Sequence, residues 1–373
     1  MREYLDLVRT TLENGNHKPN RTNVDTLSCF NLQATYDLQD GFPLLTTRKM
    51  DEERWNSIVY EFLWHLSVNS HIKDLQQETA MWNPWADNQG YLDSAVGRFW
   101  RRFPFPSTKS DREKWADSSM PWVNKDGSFD QLQYVLSELD QNPSSRRLVV
   151  SAWYPANATV SKLPPCDYTF VCNVQRNELN IHLTQRSADL ALGVPFDVAR
   201  YALLASVLAQ QTDLELGSFA HTLVDAHIYC GSERRGNLYD DHQQQLQSKM
   251  KNADDREEYL EIRDWIEENA PVEIEVGHDH IPGLLTQLAR EPYDRPIADI
   301  RNKKYRRTKS RRLQIVGLFF TPRSTVRDRR IVRIMITYYE ESPGKFPVRM
   351  ANTTVNSVNV IIVTSYRSRF VTN

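Results

Sequence analysis

Residues 163–211 of this chain are LPPCDYTFVCNVQRNELNIHLTQRSADLALGVPFDVARYALLASVLAQQ, and this stretch decides the fold class. Two alternating runs within it, Tyr168–Gln175 and Glu178–Gln185, flank a short polar turn and predict a β-hairpin. Residues 197–211 are apolar on most faces and predict a core helix. Cys166 follows two prolines, so its backbone is rigid where the first strand begins. Periodicity alone therefore predicts a mixed α and β protein.

Hydrophobic periodicity predicts further elements on both sides of this stretch. They are helices over residues 1–15, 50–68 and 129–139, a buried strand over 147–154, and β-branched strands over 331–339 and 355–364. Two polar stretches, residues 103–130 and 234–268, interrupt the pattern. We interpret both as surface insertions.

Composition places the chain among soluble globular proteins, because 40% of its 373 residues are hydrophobic and 25% are charged. These values exclude a collagen, a coiled-coil rod and a wholly disordered chain. No segment approaches the roughly 18 apolar residues of a membrane helix, and the N-terminus does not resemble a secretory signal. Four cysteines are too few for a disulfide framework, so a reduced, cytoplasmic location is expected.

Charge is distributed unevenly along the chain. Residues 301–373 contain 17 lysines and arginines against three acidic residues, whereas the residues before them are acidic overall. A basic tail can bind nucleic acid through phosphate groups. Because this tail contains no recognisable binding motif, we favour a solvated extension or an altered reading frame over nucleic-acid binding.

The candidate nucleophile is Cys166, which covalent catalysis would require to be exposed and to have a lowered pKa. Nearby arginines could lower that pKa; the alternative is a buried structural thiol. Arg186 and Ser187 follow one predicted strand, and Arg146 and Arg147 precede another. A guanidinium fork matches phosphate oxygens, so these residues are candidates for a phosphate site. The alternative is a set of surface salt bridges.

His227 and Tyr229 lie two residues apart on a predicted strand and therefore share one face. From that face they could bind hydroxyl groups of a ligand. The alternative is a strand with half-buried aromatic side chains. Taken singly, none of these motifs identifies a reaction.

Taken in order, the motifs resemble the thymidylate synthase family from about residue 1 to Gly317. The matching segments are Asn20-Arg21-Thr22, Thr26-Leu27-Ser28, Phe42-Pro43-Leu44-Leu45-Thr46-Thr47, Glu61-Phe62-Leu63-Trp64, Trp82-Asn83-Pro84-Trp85-Ala86-Asp87, Gly97-Arg98, Trp100-Arg101, Ser145-Arg146-Arg147, Pro164-Pro165-Cys166, Gln185-Arg186-Ser187, Gly193-Val194-Pro195-Phe196, residues 225–229 and Gln314-Ile315-Val316-Gly317. The resemblance implies a three-layer α/β (α+β) fold with a mixed sheet that forms a dimer interface. It also implies a homodimer with shared active sites, a pyrimidine nucleotide substrate, and 5,10-methylenetetrahydrofolate as co-substrate, without a metal.

The resemblance also implies roles for single residues. Cys166 would add to C6 of the base, Glu61 would organise water and protons, and Asp197 would face the base edge. The nucleotide would be bound by Arg21, Arg186, Ser187, His227 and Tyr229 and, from the partner subunit, by Arg146 and Arg147. The folate would be contacted by Trp82, Trp85 and Asp189. The alternatives are a solvent-facing glutamate and core tryptophans.

Asp197 departs from the pattern of the synthases, which have Asn at this position. An amide can accept from uracil N3–H and donate to O4, whereas a carboxylate cannot donate. Cytosine presents the reverse pattern, which a protonated Asp197 could match. In this family, Asp at this position resembles the deoxycytidylate hydroxymethylases and methylases. A tolerated surface substitution is the alternative.

Three further positions depart from the family. Asp167 replaces a usual His and sets a negative charge beside Cys166, and Val96 replaces a Tyr linked to removal of the C5 proton. Leu318 replaces a Tyr of the closing segment, and 55 residues follow it. Weaker closure over the folate would let water capture the transferred carbon, which would give a hydroxymethyl product.

These departures favour 5-hydroxymethylation of dCMP. The alternatives are methylation of dUMP to dTMP and C5-methylation of dCMP. A third is a catalytically weakened relative that binds nucleotide or RNA. The domain prediction is a catalytic domain over residues 1–320, with surface insertions near 104–130 and 233–280, and a C-terminal extension of unknown role over 321–373.

Overall fold

The computed structural model describes residues 1–20, 22–104, 110, 120–270, 278–302, 317–321 and 331–336. Its strands are β1 (Asn16–Lys18), β2 (Thr26–Asp37), β3 (Val149–Ser151), β4 (Asp167–Gln175), β5 (Glu178–Gln185), β6 (Ala188–Asp189), β7 (Glu215–Tyr229), β8 (Ile297–Asn302), β9 (Gly317–Thr321) and β10 (Ile331–Ile336). Its helices are α1 (Arg2–Asn14), α2 (Glu52–Leu66), α3 (Val96–Arg101), α4 (Gln131–Gln141), α5 (Asn157–Val160), α6 (Gly193–Thr212), α7 (Glu233–Asp241), α8 (Gln243–Lys251), α9 (Arg256–Asn269) and α10 (Ile281–Leu288). The predicted mixed α/β fold class is confirmed.

A mixed sheet with strand order β1-β2-β7-β5-β4-β3 forms the centre of the protein. β7 is antiparallel to β2 and parallel to β5, and β6 pairs with β7. The predicted hairpin is confirmed as β4 and β5; its turn residues Arg176 and Asn177 have φ of 51° and 69°, as a two-residue hairpin favours. Because Asp167 is opposite Gln185 and Gln185 is opposite Leu223, the start of β4 meets the end of β5 beside β7.

The predicted core helix is confirmed as α6, which packs against β5 and β7. It begins at Gly193 rather than Asp197, because Pro195 is compatible with the first helical turn. Most side chains of α6 are buried, including those of Asp197 and Arg200. The helix therefore brings charged groups into the interior beside the ends of β4 and β5.

The sheet has one covered and one less covered face. Along β5, buried residues alternate with half-buried residues such as His182 and Thr184. Phe30, on β2, is 83% exposed. A sheet with one partly exposed face and an exposed aromatic side chain is compatible with a dimer interface.

The predicted insertion over 234–268 forms α7, α8 and α9. It extends the main hydrophobic core, to which it contributes Leu246, Met250, Ile262 and Ile266. α8 packs against α1, and α9 packs against α10. This insertion is therefore not confined to the surface, because its helices are amphipathic and bury one face each.

A buried ion pair anchors this insertion to the sheet. Arg235, on α7, donates from Nε to Asp279 Oδ2 at 2.6 Å. The next residue, His280, donates its backbone N–H to the carbonyl oxygen of Tyr229 at 3.0 Å. The insertion is thereby tied to the last residue of β7.

The other predicted elements are confirmed in part. The helices over 1–15, 50–68 and 129–139 correspond to α1, α2 and α4. The strand over 147–154 is shorter than predicted: β3 covers three residues, because it is an edge strand that pairs with β4 alone. The insertion over 103–130 lies partly outside the described residues; within it, Phe103 pairs with Phe129.

The C-terminal strands form a second, small sheet with the order β8-β10-β9. β10 confirms part of the strand predicted over 331–339, whereas the one over 355–364 lies outside the described residues. Because β10 pairs with β8, residues on both sides of position 320 share this sheet. Across the described ranges, no helix combines the length and apolarity needed to cross a membrane.

Candidate active site

Cys166 lies at the start of β4 on a loop that Arg186 braces. Arg186 donates from Nε to the carbonyl oxygen of Pro165 at 3.0 Å and from Nη2 to that of Pro164 at 2.6 Å. Its backbone N–H donates to the carbonyl oxygen of Cys166 at 2.9 Å. The prolines and these three bonds fix the position of the thiol, which is half-buried.

Arginines near Cys166 lower the pKa of its thiol, as expected, but the net shift is upward. The pKa of the Cys166 thiol is raised to about 11, mainly by burial and in part by the carboxylates of Asp167 and Asp197. Arg186 and Arg200 act in the opposite direction but do not outweigh burial. The thiol is therefore mostly protonated at neutral pH, and the reaction has to generate the thiolate.

Arg200 is the central residue of the site, and the sequence analysis missed it. Its Nη1 donates to Glu61 Oε1 at 2.6 Å, and its Nη2 donates to Asp197 Oδ1 at 2.6 Å and to Asp167 Oδ2 at 3.0 Å. Tyr201 also donates its hydroxyl to Asp167 Oδ2, at 2.9 Å. The available signal was an arginine within an otherwise apolar helix, three residues after Asp197.

Glu61 is buried on α2, so the solvent-facing alternative is wrong. Its Oε1 accepts from Arg200 and, at 3.2 Å, from Trp82 Nε1, while His65 Nε2 lies 3.5 Å away. Burial alone would raise the pKa of Glu61, but Arg200 and His65 lower it below its ordinary value. Glu61 is therefore ionised at neutral pH.

Asp197 is 7% exposed, so the surface-substitution alternative is wrong. Its Oδ2 accepts from Gln185 Nε2 at 2.8 Å, while its Oδ1 accepts from Arg200. Burial raises the pKa of Asp197 well above its ordinary value despite Arg200, and Asp167 and Glu61 raise it further. Gln185 is a second residue that the sequence analysis did not assign to this part of the site.

The predicted phosphate residues lie in different parts of the chain. Arg146 and Arg147 are exposed in the segment before β3, and Ser187 is half-buried directly after Arg186. Arg21 lies outside the described residues. Arg186 thus contacts the loop of Cys166, Ser187 follows it in the chain, and Arg146 and Arg147 face solvent.

His227 and Tyr229 share one side of β7, as predicted. Their rings make an edge-to-face contact with centroids 5.3 Å apart, and His227 Nδ1 lies 3.1 Å from the carbonyl oxygen of Asp225. The Asp225 carboxylate accepts from Lys18 Nζ and Ser28 Oγ, each at 2.6 Å. Lys18 and Ser28 are contacts of this strand that the sequence analysis did not identify.

The predicted folate residues are half-buried. Trp82 and Trp85 pack against a small apolar cluster, so core packing accounts for part of each ring, and Trp82 also donates to Glu61. Asp189 Oδ1 accepts from the backbone N–H groups of Ala191 and Leu192, at 2.9 and 3.2 Å. Asp189, the last residue of β6, is therefore fixed at the turn that leads into α6.

The departures from the family pattern have different structural roles. Val96 is 4% exposed and packs in the main core at the start of α3, so it offers no group for proton transfer. Asp167 is buried and paired with Arg200. Leu318 lies on β9. Among the described residues, no group of three or more His, Cys, Asp or Glu side chains is arranged to hold a metal ion.

Comparisons with known proteins identify the family. A family model described as thymidylate synthase matches residues 2–323. A thymidylate synthase from Haloferax volcanii is 56% identical over 298 residues, which cover 79% of this chain and 87% of that protein. The chain belongs to the thymidylate synthase family, and is therefore a one-carbon transferase of nucleotide biosynthesis whose family uses methylenetetrahydrofolate. Neither match names a deoxycytidylate hydroxymethylase.

Proposed function

We propose that the protein methylates dUMP at C5. The observation that carries this proposal is the pair of hydrogen-bond donors, Gln185 and Arg200, on the two oxygens of Asp197. It reverses the preference for cytosine that Asp197 indicated when it was considered alone. The 56% identity to a protein named thymidylate synthase supports the same choice.

The edge of uracil presents an N3–H donor beside the O4 acceptor. Each Asp197 oxygen accepts one bond in the structure and keeps a lone pair for N3–H. O4 needs a donor, and the Gln185 amide has a second hydrogen beyond the one bound to Asp197. The acceptor and the donor that one amide would provide are thus divided between Asp197 and Gln185.

Cys166 would begin the reaction by adding its sulfur to C6 of the base. This addition moves negative charge to C5 and O4 and makes C5 a nucleophile. Arg200 is buried and fixed by three carboxylates, so its positive charge is preorganised to stabilise the charge that develops at O4. Because Val96 provides no acid or base, we assign Glu61 to order the water that removes the C5 proton.

The half-buried indole rings of Trp82 and Trp85 fit a flat folate ring system, because each keeps some exposed surface. We propose that they hold the folate together with Asp189. When bound, methylenetetrahydrofolate would supply the carbon and the hydride of the new methyl group. Arg21, Arg186 and Ser187 would hold the phosphate, and His227 and Tyr229 the ribose.

A competition assay tests the choice of substrate. Incubation of the full chain with methylenetetrahydrofolate and equal concentrations of dUMP and dCMP should yield mainly methylated dUMP by mass spectrometry. A single unpaired buried polar group costs about 1–3 kcal/mol, so we expect a preference of about tenfold or more. Asp197→Asn should retain dUMP turnover, whereas Asp197→Leu should lose it. Product from dCMP alone would overturn the proposal.

The second candidate is 5-hydroxymethylation of dCMP, which the raised pKa of Asp197 favours. The protonated acid could accept from the cytosine amino group and donate to N3. Turnover of dCMP should increase as pH falls, because Asp197 gains its proton, whereas turnover of dUMP should decline. A hydroxymethyl product that increases toward acidic pH would select this candidate, and nucleotide binding without turnover would indicate a weakened relative.

We further propose that two copies of the chain share their active sites across the less covered sheet face. Arg146 and Arg147 are exposed, so they are free to reach a neighbouring subunit.

Arg147→Glu should weaken nucleotide binding about tenfold or more, whereas Arg176→Glu at the exposed hairpin turn should not. Mixing Arg147→Glu with Cys166→Ala subunits should restore activity, because one hybrid site has both groups intact. A monomer by sedimentation, or no restoration, would contradict the sharing.

The remaining expectations stay predictions. They are the catalytic domain over 1–320, the extension over 321–373 and the cytoplasmic location.

A further inference from the structure

His221 lies on β7 and is fully buried, next to the site but outside every role assigned above. Its Nε2 lies 2.8 Å from Oε1 of Gln185, and Gln185 Nε2 in turn lies 2.8 Å from Asp197 Oδ2. A hydrogen-bonded chain therefore runs from the middle of the sheet to the carboxylate that faces the base. Phe219 packs against the imidazole, with ring centroids 5.6 Å apart.

The protonation state of His221 follows from this position. Burial, together with the neighbouring His182 and Arg200, lowers the pKa of His221 to about 3, so the ring is neutral. A neutral imidazole carries one N–H. Because Gln185 Oε1 only accepts, that hydrogen has to be on Nε2, and Nδ1 is left buried without a partner.

The orientation of the Gln185 amide follows from the same chain. A rotated amide would direct Oε1 at the Asp197 carboxylate, so that two acceptors would face each other at 2.8 Å. It would also direct its NH₂ at the Nε2–H of His221. Packing alone does not account for the imidazole, since a phenyl ring would fill a similar space without an unpaired Nδ1.

We propose that His221 is a positioning residue for base recognition: its Nε2–H holds the Gln185 amide so that the amide donates to Asp197 and keeps that carboxylate an acceptor. This inference deepens the proposed function and rests on it. Asp197 is also faced by Arg200 on α6, Asp167 on β4 and Glu61 on α2, which set its charge together with Gln185. The hydrogen bond from Gln185 favours the ionised form of Asp197, and His221 keeps Gln185 in place.

The test is the pH profile of kcat/KM for the nucleotide in His221→Phe, which preserves packing but removes the donor. Release of Gln185 withdraws a bond that stabilises the Asp197 carboxylate, so its pKa rises. With dUMP, kcat/KM falls toward acidic pH, and this acid limb of the profile should move to higher pH by about one unit. Relative to the unmodified chain, kcat/KM should be about tenfold lower at pH values below the limb and nearly unchanged well above it. His221→Asn retains an N–H donor and should restore a profile close to that of the unmodified chain.

Two controls separate positioning from packing. Phe219→Leu alters the packing against the imidazole but leaves the hydrogen-bonded chain in place, so it should leave the acid limb where it is. Gln185→Leu removes the same link at its other end and also the donor to O4, so it should lower kcat/KM at every pH, but its shift of the acid limb should not add to that of His221→Phe. If His221→Phe fails to fold, the position of the acid limb in Gln185→Leu decides, whatever loss occurs at every pH.

Equal loss at every pH, or additive effects, would overturn the role of His221. Failure of the proposed function would look different, because the unmodified chain would then turn over dCMP only. In that case the same variant should improve dCMP use at neutral pH, since it favours protonated Asp197. An acid limb that does not move with either nucleotide contradicts the inference.

Discussion

Cys166→Ala should lower kcat by at least about three orders of magnitude, because the alanine side chain cannot form a bond to C6 of the base. Arg186 holds the loop through backbone carbonyl groups of Pro164 and Pro165, which the substitution leaves in place. The variant should therefore fold and still bind nucleotide with an affinity within a few-fold of the original. Calorimetric titration with dUMP, together with the kinetic assay, measures both quantities.

Cys172→Ala is the matched control, since Cys172 is a fully buried thiol on the same strand with no assigned role in the reaction. It should lose some stability but keep most of the activity. The assignment would be wrong if Cys166→Ala kept substantial turnover. Equal losses in the two variants would also contradict it, because they would indicate a general effect of perturbing β4.

Arg200→Met should destabilise the protein by about 3–5 kcal/mol at neutral pH, the usual cost of leaving buried charges without their partner. Three carboxylates, those of Glu61, Asp167 and Asp197, would lose their shared cation. Urea denaturation measured at several pH values reports this loss. Arg200→Lys should recover only part of it, because one ammonium group cannot reproduce the fork of a guanidinium.

The pH dependence of this loss has a definite sign. Arg200 lowers the pKa of Glu61, so this contribution to stability is present above pH 4.5 and is lost as pH falls through the lowered value. The difference between Arg200→Met and the original chain should therefore shrink toward acidic pH. Glu61→Gln in the Arg200→Met background should restore part of the stability at neutral pH, because Asp167 and Asp197 remain without the cation. A difference that is constant between pH 7 and 4 would contradict the electrostatic account.

The sequence was most informative where a pattern is local. The hairpin of β4 and β5 and the helices α2 and α6 were predicted because their signals, alternation or helical spacing around turn residues, lie within a few neighbouring residues. β2 was not predicted as a strand, although it is 12 residues long. Its pairing partner β7 is almost 200 positions away, and a half-buried strand with polar residues has a weak signal of its own.

The same distinction applies to the site. Motifs led to the prediction of Cys166, Glu61 and Asp197 as site residues, which stays a prediction, whereas the positions of Arg200 and Gln185 depend on contacts between α2, α6, β4 and β5. The specificity inferred from Asp197 alone treated one side chain in isolation. The raised pKa of Cys166 was likewise not predictable, since burial depends on the whole fold.

The helices α7, α8 and α9 limit how this chain could be shortened during evolution. Leu246, Met250 and Ile262 bury apolar surface in the core that α1 also uses, and Arg235 is paired with Asp279 beside the end of β7. A deletion of these helices would uncover that core and leave Asp279 without its cation. A shorter descendant would therefore need apolar-to-polar substitutions on α1 to remain stable and soluble.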